Sequence, residues 1–327
     1  TIQPVKVTLD LLTIDGSGYV GSTHTIRAKG TSANGVLYQF WVKDLSTNSW
    51  TMIHDYSKSA AQWTPKKPGK YLYGVHIKDK YSRERLDKHL YKEITIDAIT
   101  IMLDPGHGGI DPGAVDGSIK EKNLNNSLVN ILSNKLKSLG INVIYTRNPN
   151  SNITMELEER AGIANSKNSD LFLSIHHDAS YNKHFSVHYS SYRPNMDLSG
   201  AYFIDDNGKK HYIIREEDGK AYYIEKGKEK YVEIVDFPYY IYDETPSLEA
   251  IKSEQLANEI YKSMLKLDFI EPRSWKPVQD HNLAITRWTN MPSVLIEAGP
   301  TSPEMNNVKK HNTIADRIVE AIQAYFK

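Results

Sequence analysis

Apolar and polar positions follow two different periods along this chain. Up to about residue 97 the period is two. Val5-Lys6-Val7-Thr8-Leu9 alternates, and residues 37–42 and 71–77 do the same with β-branched and aromatic side chains. That spacing predicts half-buried strands. Gly16-Ser17-Gly18, Ser32-Ala33-Asn34-Gly35 and Pro65-Lys66-Lys67-Pro68-Gly69 are turn signals. Ile94-Thr95-Ile96-Asp97 closes the segment. Short strands separated in this way predict a small all-β sandwich over residues 1–97.

From residue 98 the pattern changes. Residues 99–103 are a continuous apolar run and predict a buried strand. Leu124, Leu128, Ile131, Leu132, Leu136 and Leu139 then mark one face of a helix from about 121 to 139, stopped by Gly140. A strand is expected at 141–145. Thr154 is expected to cap a second helix with Leu157, Ala161 and Ala164 facing inward, and a buried strand follows at 171–175. Strands alternating with amphipathic helices predict a mostly parallel or mixed sheet flanked by helices.

The alternation stops at Ser180. Short polar strands are expected at 201–204, 211–215, 221–225 and 231–235, separated by Asp206-Asn207-Gly208, Asp218-Gly219 and Lys226-Gly227-Lys228. They read as a β-meander inserted at about 181–242. A helix at 248–267 with Ala257, Ile260, Tyr261, Met264 and Leu265 inward, a strand at 293–296 and a last helix carrying Ile314, Ile318, Ala321, Ile322 and Tyr325 complete the chain. The expected fold class is α/β with this β-rich insertion over residues 98–327, preceded by the all-β domain.

Composition changes this picture at few points. The 327 residues balance 40 basic against 40 acidic side chains, so no basic field points to nucleic acid. No apolar run approaches the ~20 residues of a membrane span. Without cysteine there is neither a disulfide nor a thiolate ligand, which leaves the compartment open. The chain starts at Thr1 without a signal-like segment, so the protein is expected either to stay inside the cell or to have lost a leader. Eleven of the 21 tyrosines fall within 181–242. A solvent-side aromatic patch for sugar or peptide is one reading of them. Cross-strand pairs that stiffen exposed hairpins are the commoner explanation.

Four side chains end or begin elements where a parallel sheet exposes one edge. His107 lies on the loop Asp104-Pro105-Gly106-His107-Gly108-Gly109, just past the first α/β strand. Glu121 opens the first helix, where the macrodipole favours a carboxylate. His176 ends the strand from Leu171, and Glu297 ends the strand from Ser293. Two histidines and a carboxylate with an open fourth position are a usual catalytic zinc set, and a further glutamate supplies a base. His177 follows His176 in extended chain and faces the other way, so His176 is the better ligand. His177 then either supports the site or is polar surface.

Taken in order, several segments resemble the zinc-dependent N-acetylmuramoyl-L-alanine amidases of bacterial cell-wall metabolism. They are Leu103-Asp104-Pro105-Gly106-His107-Gly108-Gly109, Glu121-Lys122-Asn123-Leu124, Tyr145-Thr146-Arg147, Leu157-Glu158-Glu159-Arg160, Ala164-Asn165, the stretch 170–176, and Met291-Pro292-Ser293-Val294-Leu295-Ile296-Glu297-Ala298-Gly299. The resemblance implies that His107, Glu121 and His176 bind zinc and that Glu297 is the catalytic glutamate. It further implies cleavage of the amide between the lactyl group of N-acetylmuramic acid and L-alanine in peptidoglycan. A secreted or cell-wall monomer, an autolysin, is expected, with a phage lysin as the alternative source. Pro68-Gly69-Lys70-Tyr71-Leu72-Tyr73 with Asp79-Lys80-Tyr81 resembles the three-tyrosine Ig-like repeat of bacterial surface proteins.

The chain departs from the amidase pattern at His177, Asp178 and Pro300, and in the length of the insertion. Arg287 is expected either to contact substrate or to form a structural ion pair. The rival functions are a zinc peptidase acting within the stem peptide and a catalytically silent wall-binding protein.

Overall fold

The computed structural model describes residues 5–57, 60–179, 183–234 and 240–327. The chain divides into two compact units. One is Thr1–Ile99 with Ser138–Ile141 and Phe326–Lys327; the other is Thr100–Lys137 with Asn142–Tyr325.

The first unit carries β1 (Thr8–Asp15), β2 (His24–Thr31), β3 (Val36–Asp44), β4 (Ser49–Ser57), β5 (Ala60–Trp63), β6 (Gly69–Asp79) and β7 (Lys88–Ile96). They form two sheets, ordered β1-β2-β5 and β4-β3-β6-β7. The period-two pattern places Tyr38, Phe40 and Val42 of β3 and Tyr71, Tyr73, Val75 and Ile77 of β6 in the core. Tyr73 joins the two sheets: its hydroxyl lies 2.8 Å from His24 Nδ1 on β2, and its ring meets Trp63 of β5 at 5.5 Å. The first strand starts later than the alternation at 5–9 suggests. A bulge between Leu9 and Leu11 shifts the inward face, and Leu12 is the buried residue.

The second unit begins with β8 (Thr100–Pro105), the hairpin β9 (Val115–Asp116) and β10 (Ile119–Lys120), α1 (Glu121–Ser138), β11 (Asn142–Tyr145), α2 (Leu157–Ser166) and β12 (Leu171–Asp178). Next come β13 (His184–Tyr189), β14 (Ala201–Ile204), β15 (Lys210–Glu217), β16 (Lys220–Glu225), β17 (Lys228–Glu233) and β18 (Ile241–Asp243). The unit ends with α3 (Leu248–Met264), β19 (Glu271–Pro272), β20 (Val278–Asp280), α4 (Ala284–Arg287), β21 (Ser293–Pro300) and α5 (Val308–Tyr325).

The architecture is α/β. The main sheet runs β11-β8-β12-β21-β13-β19, with β20 also paired to β13. Its first four strands are parallel, and β13 is antiparallel to β21. Met102, Phe172 and Leu295 from the sheet meet Ala164 of α2 and Ile285 of α4 in one apolar cluster. A separate sheet, β17-β16-β15-β14-β18, is the meander.

Four expectations are corrected. The insertion starts later than 181, because His184–Tyr189 is a strand of the main sheet. Its polar alternation hid it: Ser186 and His188 are buried, and they satisfy each other at 2.9 Å. Thr154 is not the cap of α2, which starts three residues later; its Oγ1 instead accepts the amide of Ile110 at 2.9 Å. Leu157 is exposed rather than inward. The third helix stops at Met264, and Leu265 is exposed. Residues 180–182 and 235–239, including the expected strand end Val235, lie outside the described residues. The tyrosines do pair across strands, Tyr202 with Tyr212 and Tyr222 with Tyr231, at ring distances of 6.3 and 5.7 Å.

One buried cation ties the root of the meander to the sheet. Arg193 donates from Nη1 to the carbonyls of Thr289 (2.7 Å) and Met291 (3.3 Å), from Nη2 to Ser253 Oγ (2.7 Å) and from Nε to the Ser190 carbonyl (3.1 Å). Replacing it strands those acceptors away from water. Arg193→Met is therefore expected to cost roughly 3 kcal/mol in urea unfolding. A loss below about 1 kcal/mol would mean the tie is dispensable.

Candidate metal centre and active site

The site is assembled from strand ends that a single carboxylate draws together. Asp104, fully buried on β8, accepts from Thr146 Oγ1 (2.5 Å), Arg160 Nη1 (2.8 Å) and Ser174 Oγ (2.7 Å). Those partners follow β11 and belong to α2 and β12. Burial alone would raise the Asp104 pKa, but Arg160 and the hydroxyl donors hold it below the ordinary carboxylate value.

The same arginine reaches past Asp104 to the histidine loop. Arg160 Nη2 and Arg147 Nε both donate to the His107 carbonyl, at 2.8 and 2.7 Å. His107 has φ 61°, a left-handed conformation that a side chain other than glycine rarely adopts. Two guanidinium donors on one carbonyl fix that peptide. Gly106 is required for a different reason: a Cβ there would collide with the His176 ring.

His107 is held at both ring nitrogens. Nε2 meets Glu121 Oε2 at 3.0 Å, and Nδ1 meets Asp111 Oδ2 at 2.7 Å. Burial would lower its pKa, but the hydrogen bonds and charges of Glu121 and Asp111 raise it to about 9. His176 Nδ1 meets Glu121 Oε1 at 2.9 Å. The buried Glu121 carboxylate also accepts from the amides of Ala114 (2.9 Å) and His177 (3.2 Å) and from Asn125 Nδ2 (3.3 Å). Against burial, which raises it, the two histidines hold its pKa far below the usual carboxylate range. One ligand atom from each of His107, Glu121 and His176 lies within 4.8 Å of the others.

Glu297 stands beside this cluster as the register partner of His176 across β12 and β21. Its environment is the opposite of Glu121's. Oε2 is closed off from solvent and has no hydrogen-bond partner among the described residues. Burial, helped by the charges of Glu121 and Asp178 and opposed by His176 and His107, raises its pKa to about 7. A carboxyl poised near neutrality both takes and gives a proton.

His177 points away from this group, as the strand alternation requires. Its ring is buried against Asn125 Oδ1 (2.8 Å) and the His311 ring (5.5 Å), and burial pushes its pKa down to about 3. Arg287 does not join the cluster either. It is buried, meets Glu216 of the meander at 3.5 Å and stacks on Trp288 at 4.4 Å.

The N-acetylmuramoyl-L-alanine amidase family matches residues 101–324. The chain belongs to that family. The N-acetylmuramoyl-L-alanine amidase AmiC of Neisseria meningitidis is 28% identical over 206 residues, covering 60% of this chain and 44% of its own length. AmiC of Escherichia coli, of the same description, is 25% identical over 244 residues, covering 70% of this chain and 53% of its own. The chain thus spans about half the length of these curated relatives. An N-acetylmuramoyl-L-alanine amidase from Clostridium difficile, a solved structure, superposes with a TM-score of 0.47 at 23% identity, over 70% of this chain and 96% of that one.

Within this amidase-family unit, sequence reasoning missed Asp111, Asn125 and the Asp104–Arg160 pair. Asp111 had one local signal, since it lies four residues beyond His107 on the same glycine loop. A short backbone ladder brings it back: Gly108 and Asp111 exchange amide–carbonyl bonds of 3.0 Å. Asp104 and Arg160 stand 56 positions apart, and only the fold pairs them.

Removing the Asp104 charge leaves Arg160 buried and unpaired. Asp104→Asn is expected to lower unfolding stability by about 3–5 kcal/mol at neutral pH. Because the folded pKa is depressed, the carboxylate's contribution is complete above its unfolded value near 4 and is lost as pH falls through the folded value. The difference between wild type and Asp104→Asn in denaturant titrations should therefore shrink in acid; a pH-independent gap would remove the carboxylate from this role.

Proposed function

We propose that this chain is a zinc-dependent peptidoglycan hydrolase that cleaves the amide between the lactyl group of N-acetylmuramic acid and the L-alanine of the stem peptide. Family membership supports the reaction class. The observation that carries the rest is the convergence of His107, Glu121 and His176 within 4.8 Å, beside a glutamate with an unpartnered oxygen. Two imidazoles and one carboxylate, with no fourth ligand side chain grouped with them among the described residues, suit a catalytic zinc site.

In this reading His107, Glu121 and His176 hold the ion. Bound there, it would supply Lewis acidity to a water and to the scissile carbonyl. Asp111 fixes the His107 ring by taking its Nδ1 side, and the amides of Ala114 and His177 aim the Glu121 carboxylate. Glu297 does the proton work. It takes a proton from the attacking water and returns it to the departing nitrogen of L-alanine. A carboxyl whose Oε2 has no hydrogen-bond partner among the described residues fits that task, and a purely wall-binding protein would have no use for it.

The substrate implies a position at the cell wall. Among the described residues, no helix is long and apolar enough to cross a membrane. We read the chain as a monomer, its residues 98–327 as the catalytic domain and the seven-stranded first unit as an Ig-like sandwich of the three-tyrosine kind.

Glu297→Gln should lower the release of stem peptides from purified peptidoglycan by about 10²–10⁴-fold while leaving the zinc content unchanged. Mass spectrometry of the wild-type digest should find free stem peptides beginning with L-alanine and intact glycan strands. Full activity in Glu297→Gln, or cuts inside the stem peptide, would refute the assignment. Chelation should abolish turnover and added zinc restore it, and His176→Ala should lose the metal; a chelator-resistant activity would exclude the ion from the chemistry.

A further inference from the structure

A line of rings leads from the surface of the meander to the catalytic glutamate. Tyr202 of β14 meets Tyr242 of β18 at 5.9 Å, and Tyr242 meets Tyr240 at 6.4 Å with the rings 29° from parallel. Tyr240 meets His281 at 5.0 Å, and His281 meets His188 at 5.5 Å. His188 Nε2 lies 2.9 Å from Ser186 Oγ, and Ser186 is the register partner of Glu297 on the neighbouring strand. Opposed residues of an antiparallel pair share a face, so the line ends on the side of the sheet that carries Glu297.

Cross-strand stiffening accounts for only part of it. Tyr222 and Tyr231 form a closed pair on the far hairpin, with the Arg215 guanidinium 3.4 Å from the Tyr222 ring centroid. Tyr242 does pair with Tyr202 across β18 and β14, but Tyr240 precedes β18 and its ring meets Tyr242 and His281 rather than a tyrosine of a neighbouring strand. The hydroxyls of Tyr202, Tyr240 and Tyr242 meet no hydrogen-bond partner among the described residues, whereas that of Tyr212 donates to Glu244 at 2.7 Å. Lys210, paired with Glu244, sits over Tyr202 at 3.8 Å and fixes the outer end. Rings held in place with free hydroxyls offer rigid amphipathic contact at little entropic cost.

Resting on the amidase reading above, we propose that Tyr202, Tyr242, Tyr240 and His281 form a subsite for the glycan strand, gripping sugars beside the muramic acid whose lactyl amide is cut. Pyranose rings present apolar C–H faces and a rim of hydroxyls, which matches stacked tyrosines with unused hydroxyl groups. A stem peptide carries free carboxylates and amines and calls for charged partners. The charges beside the line are already engaged, Lys210 with Glu244 and Asp280 with the Ser191 amide. Burial keeps His188 neutral as well, with its pKa pushed down to about 3.

The test uses the whole chain and the double variant Tyr240→Ala/Tyr242→Ala, with Tyr240→Phe/Tyr242→Phe as a control that keeps the rings. On long glycan strands kcat/KM should fall about tenfold or more in the alanine variant, the size of one lost aromatic contact. On a single disaccharide carrying one stem peptide it should stay within about twofold, which is less than one such contact. N-acetylglucosamine oligomers should perturb wild-type tyrosine signals in NMR titrations and fail to do so in the alanine variant. An equal fall on both substrates, unchanged kinetics on strands, or weakened binding of free stem peptide with oligomer binding intact would overturn the proposal. A wild type inactive on every wall substrate would instead sink the amidase reading, and the oligomer titration would still report on the subsite.

Discussion

The buried pair Asp104–Arg160 is the constraint on which the catalytic edge depends. A carboxylate on β8 is costly to bury unless every lone pair is engaged, and here hydroxyls from two flanking segments and a guanidinium from α2 engage it. The same guanidinium continues to the carbonyls of Pro105 and His107. Register among the parallel strands and the shape of the histidine loop are thus set by one network. The strained backbone of His107 persists because Arg147 and Arg160 both hold its carbonyl.

Two glutamates a short way apart are driven in opposite directions by their surroundings. Glu121 opens a helix and is met by two imidazoles, two amides and an asparagine, all of which favour the charged form. Glu297 lies within the largely apolar strand β21 with one oxygen shut in and unpartnered, so the neutral form is favoured. Of two identical side chains, one is thereby held charged and the other is driven toward its neutral form. Asp178, in the departure that follows His176, adds negative charge that pushes Glu297 further up.

The meander is built into the second unit through polar groups rather than a broad apolar face. Its own core is small, made of residues such as Ala201, Phe203, Ile213, Ala221 and Ile241. Arg193 anchors its root, and Glu216 of β15 accepts from Tyr192 (2.7 Å) and Trp288 (3.2 Å) while pairing with Arg287. Arg287 thus forms an ion pair within the fold, one of the two expectations for its position. Anchoring by directional bonds fixes how β18 lies against His281 and so sets the line of rings.

The amino-acid sequence by itself determined the periods and the ends of elements. Alternation marked the first unit as β, three- and four-residue spacing marked α1 and α5, and hairpin signals at Asp206-Asn207-Gly208 and Asp218-Gly219 bounded the meander strands. His107, Glu121, His176 and Glu297 stood out because polar side chains at the ends of apolar strands or the start of a helix need a reason. Local pattern carries that information because backbone periodicity is local. Only the tertiary structure decided what is satisfied by distant partners. It drew His184–Tyr189 into the main sheet, turned Asp111 back onto His107, joined Asp104 to Arg160 and closed Arg287 onto Glu216. A buried polar group looks the same in sequence whether or not its partner exists, and that partner is chosen by the fold.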